Sequence, residues 1–383
     1  MTDRPTVVSL FSGIGGLDLG FVREGFKILW ANEFNLQAAA SYETNLGLRP
    51  VVEDIDAIAI DAIPRADVVI GGPPCQSFSL VGRRFEDDPR GHLVWTFTNI
   101  VSRIRPRAFV LENVPGMEAS LVDGVRLPIV LARTFAAAGY DVAPMKLNAA
   151  DYMVPQLRRR LFLIGIRGAA VAKPDPETFS DHLGVPASER LISASAALDD
   201  LGPCVGKGER ATYAHSPSTW LAKHFRAKRL PNVSLHECPR LSATDAALAR
   251  AIPPGGNYRD VPDEIATDRI RKFKISGGRS TTYGRLHPDR PSYTVNTFFR
   301  RPNVGTNFHY RAERLITPRE ALRLQAFPDD FELVYSSQDG RNAQIGNAVP
   351  PLLGQAVAWA VRNGLRNEGL DIKIPLWSTA SER

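Results

Sequence analysis

Five short apolar runs, each bounded by glycine or polar residues, recur through the first 170 residues and constrain the fold more than any other feature. Thr6–Phe11 (TVVSLF) breaks into the glycine turn Ser12–Gly16. Lys27–Ala31 (KILWA) precedes Glu33, and Asp67–Ile70 (DVVI) breaks at Gly71-Gly72-Pro73-Pro74. Ala108–Leu111 (AFVL) ends at Glu112-Asn113, and Leu161–Ile166 (LFLIGI) follows a basic cluster. The intervening Leu17–Glu24 and Leu36 to Thr44 carry helical spacing. Short β-rich runs alternating with helices predict an α/β chain with a doubly wound, mostly parallel sheet. In such sheets ligands gather beyond the carboxyl ends of the strands, where these glycines and polar residues sit.

The texture changes after about Gly168. Residues 168–308 are rich in Pro, Gly, Ser, His and Arg with little periodicity, which predicts a second, smaller domain. Residues 1–167 and 309–383 would form the larger one. Thr317-Pro318-Arg319-Glu320 reads as a helix start with a capping box, and Pro351–Asn363 as a helix packing back onto the first domain. The 383 residues carry 47 Lys+Arg against 41 Asp+Glu, a net charge of +6 that is compatible with a polyanionic partner without demonstrating one. No apolar run reaches the ~20 residues of a membrane span, and the N-terminal residues lack the pattern of a secretory signal. Three cysteines, Cys75, Cys204 and Cys238, make a disulfide framework improbable and a reducing cytoplasm the natural setting. Cys204 and Cys238 are read as structural residues.

Five segments carry candidate chemistry. Phe11-Ser12-Gly13-Ile14-Gly15-Gly16 is a strand-to-glycine turn that lets a cofactor approach the backbone. It departs from the dinucleotide pattern GxGxxG because Asp18 stands at the third glycine position, which disfavours a nicotinamide cofactor. Glu33 and Asp54 are placed to receive a ribose diol and an adenine amino group. In Gly71–Ser79 (GGPPCQSFS), Cys75 sits between Pro-Pro and Gln-Ser, an unlikely setting for core filling. A thiolate there suits conjugate addition to an electron-poor ring carbon. Taken alone, Glu112 is better read as an exposed loop acid and Gln156–Arg160 as a solvated basic turn. A desolvated pocket would instead make Glu112 an acid or hydrogen-bond donor. Alternation along an extended segment would aim Gln156, Arg158 and Arg160 into one pocket. Gly346–Pro350 (GNAVP) begins the final helix and could reach a cofactor from the opposite side.

FSGIGG, GGPPCQSFS, ENV, QLRRR and GNAVP, in this order, resemble the bacterial cytosine-5 DNA methyltransferase family over nearly the whole chain. Arg290–Asp330 resembles the block linking that family's small and large domains. The resemblance implies a Rossmann-like fold that uses S-adenosylmethionine, with a small target-recognition domain. It implies addition of Cys75 to cytosine C6, Glu112 at N3 and the exocyclic amine, and catalytic donors from the QxRxR motif: Arg160, its second arginine, near O2, and Arg158, its first. Phe11, Gly13 and Gly16 would line the cofactor pocket, Glu33 would hold the ribose, Asp54 and Ile55 the adenine, and Asn347 and Ala348 the amino-acid end. No metal is implied. Double-stranded DNA is the implied partner, with its target cytosine flipped out of the duplex. Residues 76–92, with Arg83, Arg84 and Arg90, resemble the family's mobile loop.

A tRNA cytosine-5 methyltransferase shares these motifs, but the long variable region favours duplex DNA. A zinc deaminase needs Pro-Cys-x-x-Cys, and Pro74-Cys75 is followed by Gln76-Ser77-Phe78. A non-catalytic relative is disfavoured because every catalytic position is intact. A cognate restriction endonuclease is compatible with the chain, and a monomer is expected. The basic stretches Arg83–Arg90, Arg158–Arg160 and Arg269–Arg285 are expected to face one cleft. The recognised sequence, set within residues 168–289, is not legible.

Overall fold

The computed structural model describes residues 4–74, 91–190, 192–226 and 230–366. Six strands form the main sheet: β1 (Thr6–Leu10), β2 (Lys27–Ala31), β3 (Val68–Gly71), β4 (Ala108–Asn113), β5 (Tyr140–Asn148) and β6 (Arg159–Arg167). Their order is β2-β1-β3-β4-β6-β5. The first four run parallel, and β6 is antiparallel to both β4 and β5. The expected doubly wound, mostly parallel sheet is therefore present, and all five expected strands close within two residues of their predicted ends. The fifth, β6, is longer than expected and extends back to Arg159.

Successive strand residues point to opposite faces, and both faces are covered. Val7, Val68, Ile70 and Val110 pack with helix α1 (Gly16–Arg23) and with the final helix Pro351–Arg366. Val8, Leu10, Val69 and Leu111 pack with α3 (His92–Ile104) and α4 (Leu127–Ala137), α2 being Leu36–Leu46. Burial on both faces is why these strands read as continuous apolar runs. The contact of α1 with the final helix is close: a Cβ on Gly20 would lie 2.4 Å from Gln355 N. The Thr317 capping box forms as expected, with Glu320 N bonded to the Thr317 hydroxyl at 3.1 Å and Thr317 N to the Glu320 carboxylate at 2.8 Å.

Residues 168–308 are not uniform. Val171, Phe179, Leu198, Phe225 and Val233 belong to the apolar cluster of the main sheet. Arg323, on the helix Pro318–Leu324, is fully buried and pairs with Asp200 and Asp329. A separate small core gathers Leu248, Ile252, Tyr258, Ile270, Tyr283, Phe308 and Leu315. The independently packed part is thus centred on residues 248–315.

Cys204 and Cys238 form a disulfide with Cα atoms 5.0 Å apart, contrary to the sequence expectation. Thirty-four positions separate them. The antiparallel pairing of Ala211-Thr212 with Asn232-Val233, and a backbone bond from Cys238 N to Val205 O, bring them together. Spacing alone carries no trace of that pairing. Among the described residues no helix is long and apolar enough to cross a membrane.

Candidate active site at the carboxyl edge of the sheet

The ends of β1 to β4 lie at one edge because the strands are parallel. β6 is antiparallel to β4, so its beginning meets the end of β4, with Asn113 opposite Leu161. This register brings Arg160 beside Glu112. Arg160 Nε lies 2.9 Å from Glu112 Oε1, and each side chain is 12% exposed. Burial pushes the Glu112 carboxyl up, and the charges of Arg160 and then Arg158 only partly pull it back, so the net shift is upward. Glu112 is therefore a pocket acid, not the exposed loop acid that the residue alone would indicate.

Gly72 closes the same corner. A Cβ there would stand 2.8 Å from Glu112 Oε2, so a residue without a side chain lets β3 leave the sheet with that carboxylate in place. Asn113 Nδ2 reaches Pro73 O at 3.4 Å and ties the ends of β3 and β4 together. Sequence reasoning did not single out Gly72 for this contact, although a Gly-Gly before Pro-Pro was a signal for it. Cys75, Arg83, Arg84 and Arg90 lie outside the described residues.

Alternation along 156–160 is as expected. Gln156 and Arg158 are fully buried and Arg160 is nearly so, while Leu157 and Arg159 face outward. Their tasks differ, however. Gln156 bonds Val295 N and Leu324 O. Arg158 donates to Val295 O at 3.1 Å and to Gly346 O and Ala348 O at 2.8 Å each. Both terminal nitrogens of Arg158 are thus spent on backbone, holding the GNAVP segment against the start of β6. Burial also pushes its guanidinium well below the usual value.

The glycine turn after β1 is built from left-handed residues. Phe11, Gly13 and Gly15 have φ of 53°, 56° and 82°. Among the described residues, none beyond its chain neighbours comes within 4 Å of a Cβ placed on Gly13, so they leave open space there. A Cβ on Gly16 would stand 2.1 Å from Val349 O, which makes Gly16 the meeting point of this turn with GNAVP. Glu33 accepts from Gly13 N and Asn35 N at 2.8 Å each, and burial raises its carboxyl. Asp54 caps the short turn containing buried Ile55. Asn347, exposed, ends the helix Gln338–Asn347, and Ala348 is nearly buried. GNAVP therefore closes one helix and leads into the next, where the sequence reading had it begin the last. Asp18 is buried and accepts from Tyr42 Oη at 2.8 Å, a pairing the sequence did not indicate. Desolvation raises Asp18 to about 6. An open left-handed glycine turn, a carboxylate anchored to it and a facing helix end form a fitting cradle for a nucleoside-bearing cofactor.

The expected basic wall is not formed as a unit. Arg158 is buried, and Arg285 is buried with its guanidinium bonded to His309 O, Ala249 O and Ile252 O. Arg271 and Lys274 pair with Asp268 and Asp263. Arg158 and Arg285, expected to face that cleft, instead clamp backbone carbonyls.

The fold and site define a Rossmann-like methyltransferase: a mostly parallel sheet, a glycine turn with a ribose-type carboxylate after β2, and a buried Glu–Arg pair beyond β4. A sequence profile of C-5 cytosine-specific DNA methylases matches residues 5–363. Type II methyltransferase M.NgoFVII of Neisseria gonorrhoeae is 32% identical over 357 residues, covering 91% of this chain and 84% of that protein. Type II methyltransferase M1.HphI of Haemophilus parahaemolyticus is 33% identical over 374 residues, covering 95% and 88%. Among solved structures, one described as a DNA modification methyltransferase encoded within an E. coli prophage superposes with a TM-score of 0.69 at 25% identity, covering 94% of this chain and 99% of that one. Schizosaccharomyces pombe Dnmt2 shares the fold, with a TM-score of 0.56 at 17% identity and coverage of 94% and 99%. The chain belongs to the C-5 cytosine-specific DNA methylase family and is a DNA (cytosine-5-)-methyltransferase.

Proposed function

We propose that the enzyme methylates C5 of a flipped-out cytosine in a specific duplex sequence, through a covalent adduct of Cys75 with C6. The buried Glu112–Arg160 pair beyond Gly72 carries this reading, because it sets an acid and a cation at the edge from which the Pro73-Pro74-Cys75 segment leaves. The Cys75 thiolate adds to C6, and the ring electrons move toward N3 and C5. Glu112 holds a proton at N3, and Arg160 donates to O2, so negative charge on the ring is met as it develops. C5 is then nucleophilic. After methylation the C5 proton leaves and the Cys75–C6 bond breaks, restoring the aromatic ring and the thiolate. Arg158 acts as a positioning residue, by holding Gly346 and Ala348.

S-adenosylmethionine supplies the electrophilic methyl group. Phe11, Gly13 and Gly16 would line its site, Glu33 would bind the ribose hydroxyls, Asp54 and Ile55 the adenine, and Asn347 and Ala348 the amino-acid end. The free space at Gly13 and the anchored Glu33 carboxylate support that fit.

Residues 1–167 and 309–383 would act as the catalytic unit and 168–308 as the target-recognition unit, with base selection in its separately packed part from residue 248 onward. The Type II naming of the relatives supports a cognate restriction endonuclease as functional partner. A monomer working in the cytoplasm, where its DNA would lie, completes the reading. Duplex DNA carrying 5-fluorocytosine tests it, since fluorine cannot leave as a proton does. The wild type should be trapped as a covalent complex and Cys75→Ser should not. Trapping by Cys75→Ser would overturn the assignment.

A further inference from the structure

A cavity of about 310 Å³ opens between the loop Gly255–Asn257, the turn Leu286–Arg290 and the paired residues Leu157 and Tyr293. Leu157 lies three residues before Arg160, about 10 Å along an extended chain.

Its walls present donors. Among the described residues, no acidic one lines it. Nearby Asp260 has an Oδ2 that accepts from Asn257 N at 2.8 Å. Two acceptor atoms of the wall side chains are also taken. Asn257 Oδ1 accepts from Arg259 N at 3.1 Å, which leaves its amide hydrogens as the remaining function. His287 Nδ1 accepts from Asp289 N at 3.1 Å, so the ring proton sits on Nε2. The ring is seated against Gly255, whose φ is +80° and where a Cβ would meet His287 Cδ2 at 2.9 Å. Arg290 adds an exposed guanidinium. Buried Arg285 underpins the loop through the carbonyls of Ala249 and Ile252.

We propose that this cavity seats one backbone phosphate of the DNA strand, held by the charge of Arg290 and by neutral donors from His287 Nε2 and Asn257 Nδ2. Phosphate oxygens only accept, and that matches a guanidinium beside an amide and an imidazole whose own acceptor atoms are taken. The inference rests on the DNA methyltransferase assignment and adds a strand anchor to it.

The test uses full-length protein and a duplex containing its methylation site. Wild-type methylation in the same buffer is the control: its failure would challenge the activity itself, not the seat. With that control met, Arg290→Gln should weaken binding about tenfold and reduce the slope of log K against log salt by roughly 0.9. His287→Ala should weaken binding with the slope unchanged, because its donor is neutral. In a scan of single neutral methylphosphonates, one position should reproduce the Arg290→Gln loss and add nothing further in that variant. An unchanged salt slope in Arg290→Gln, a change in which sequence is methylated, or additive losses at every phosphate would each overturn the proposal.

Discussion

Arg160 Nε bonds Glu112 Oε1 at 2.9 Å inside a corner that excludes most water. The pair joins the end of one strand to the beginning of its antiparallel neighbour, so the chemistry depends on the register of β4 and β6. A cation beside a buried carboxyl favours its charged form, and removing it must push the carboxyl further up.

Arg160→Ala is therefore expected to act twice. The alkaline limb of the kcat–pH profile, which reports loss of the Glu112 proton, should move to higher pH. The rate at its optimum should fall about 10²–10³-fold with loss of the O2 donor. Methyl transfer from labelled S-adenosylmethionine across the pH range measures both. A limb that stays in place, or moves down, would show that Glu112 is not the titrating group.

Arg158 was legible as an inward-pointing residue but not as a structural clamp. Arg158→Ala should strand the carbonyls of Val295, Gly346 and Ala348 and lower stability by about 3–5 kcal/mol. Cofactor affinity should fall with it, since Gly346–Ala348 lose their tether. Urea unfolding and calorimetric titration measure the two effects, and Arg158→Lys should recover only part of either. Full stability in Arg158→Ala would remove the clamp from the account.

β1, β3, β4 and β6 could be read ahead because burial on both faces writes itself into their residues, and the edge strand β2 because KILWA is apolar after its first residue. β5 (Tyr140–Asn148) escaped notice because it is an edge strand, with Asp141, Pro144 and Lys146 interrupting its apolar character. The site was legible where glycine or a carboxyl closed a strand, as at Gly13, Glu33 and Glu112. It was not legible where partners lie far apart in the chain. Arg158 meets Gly346, Asp18 meets Tyr42, and Cys204 meets Cys238 only once the fold exists.

The disulfide makes a direct prediction. The chain has three cysteines and two are joined, so protein handled without reductant should show one titratable thiol per chain, rising to three after reduction under denaturing conditions. The bond closes a 34-residue separation, for which loop entropy in the unfolded chain corresponds to about 4 kcal/mol. The Cys204→Ser, Cys238→Ser double variant should unfold at correspondingly lower urea while Cys75 stays available. Three free thiols in unreduced protein would refute the pairing.

Gly72→Ala offers the sharpest separation of chemistry from folding. Gly72 is only partly buried, and its added methyl would meet Glu112 Oε2 at 2.8 Å, the far end of a side chain and not a backbone atom. Glu112 can swing away at small cost, so global stability should change by about 1 kcal/mol or less. The swing would break the alignment with Arg160, and a misplacement near 1 Å at reacting groups costs about 10² in rate. Cofactor affinity should be preserved, because the glycine turn, Glu33 and GNAVP are untouched. Thermal unfolding, cofactor titration and single-turnover methylation on one preparation would show the split. A variant that loses stability and cofactor binding along with rate would place Gly72 in the packing of the sheet and not in the positioning of Glu112.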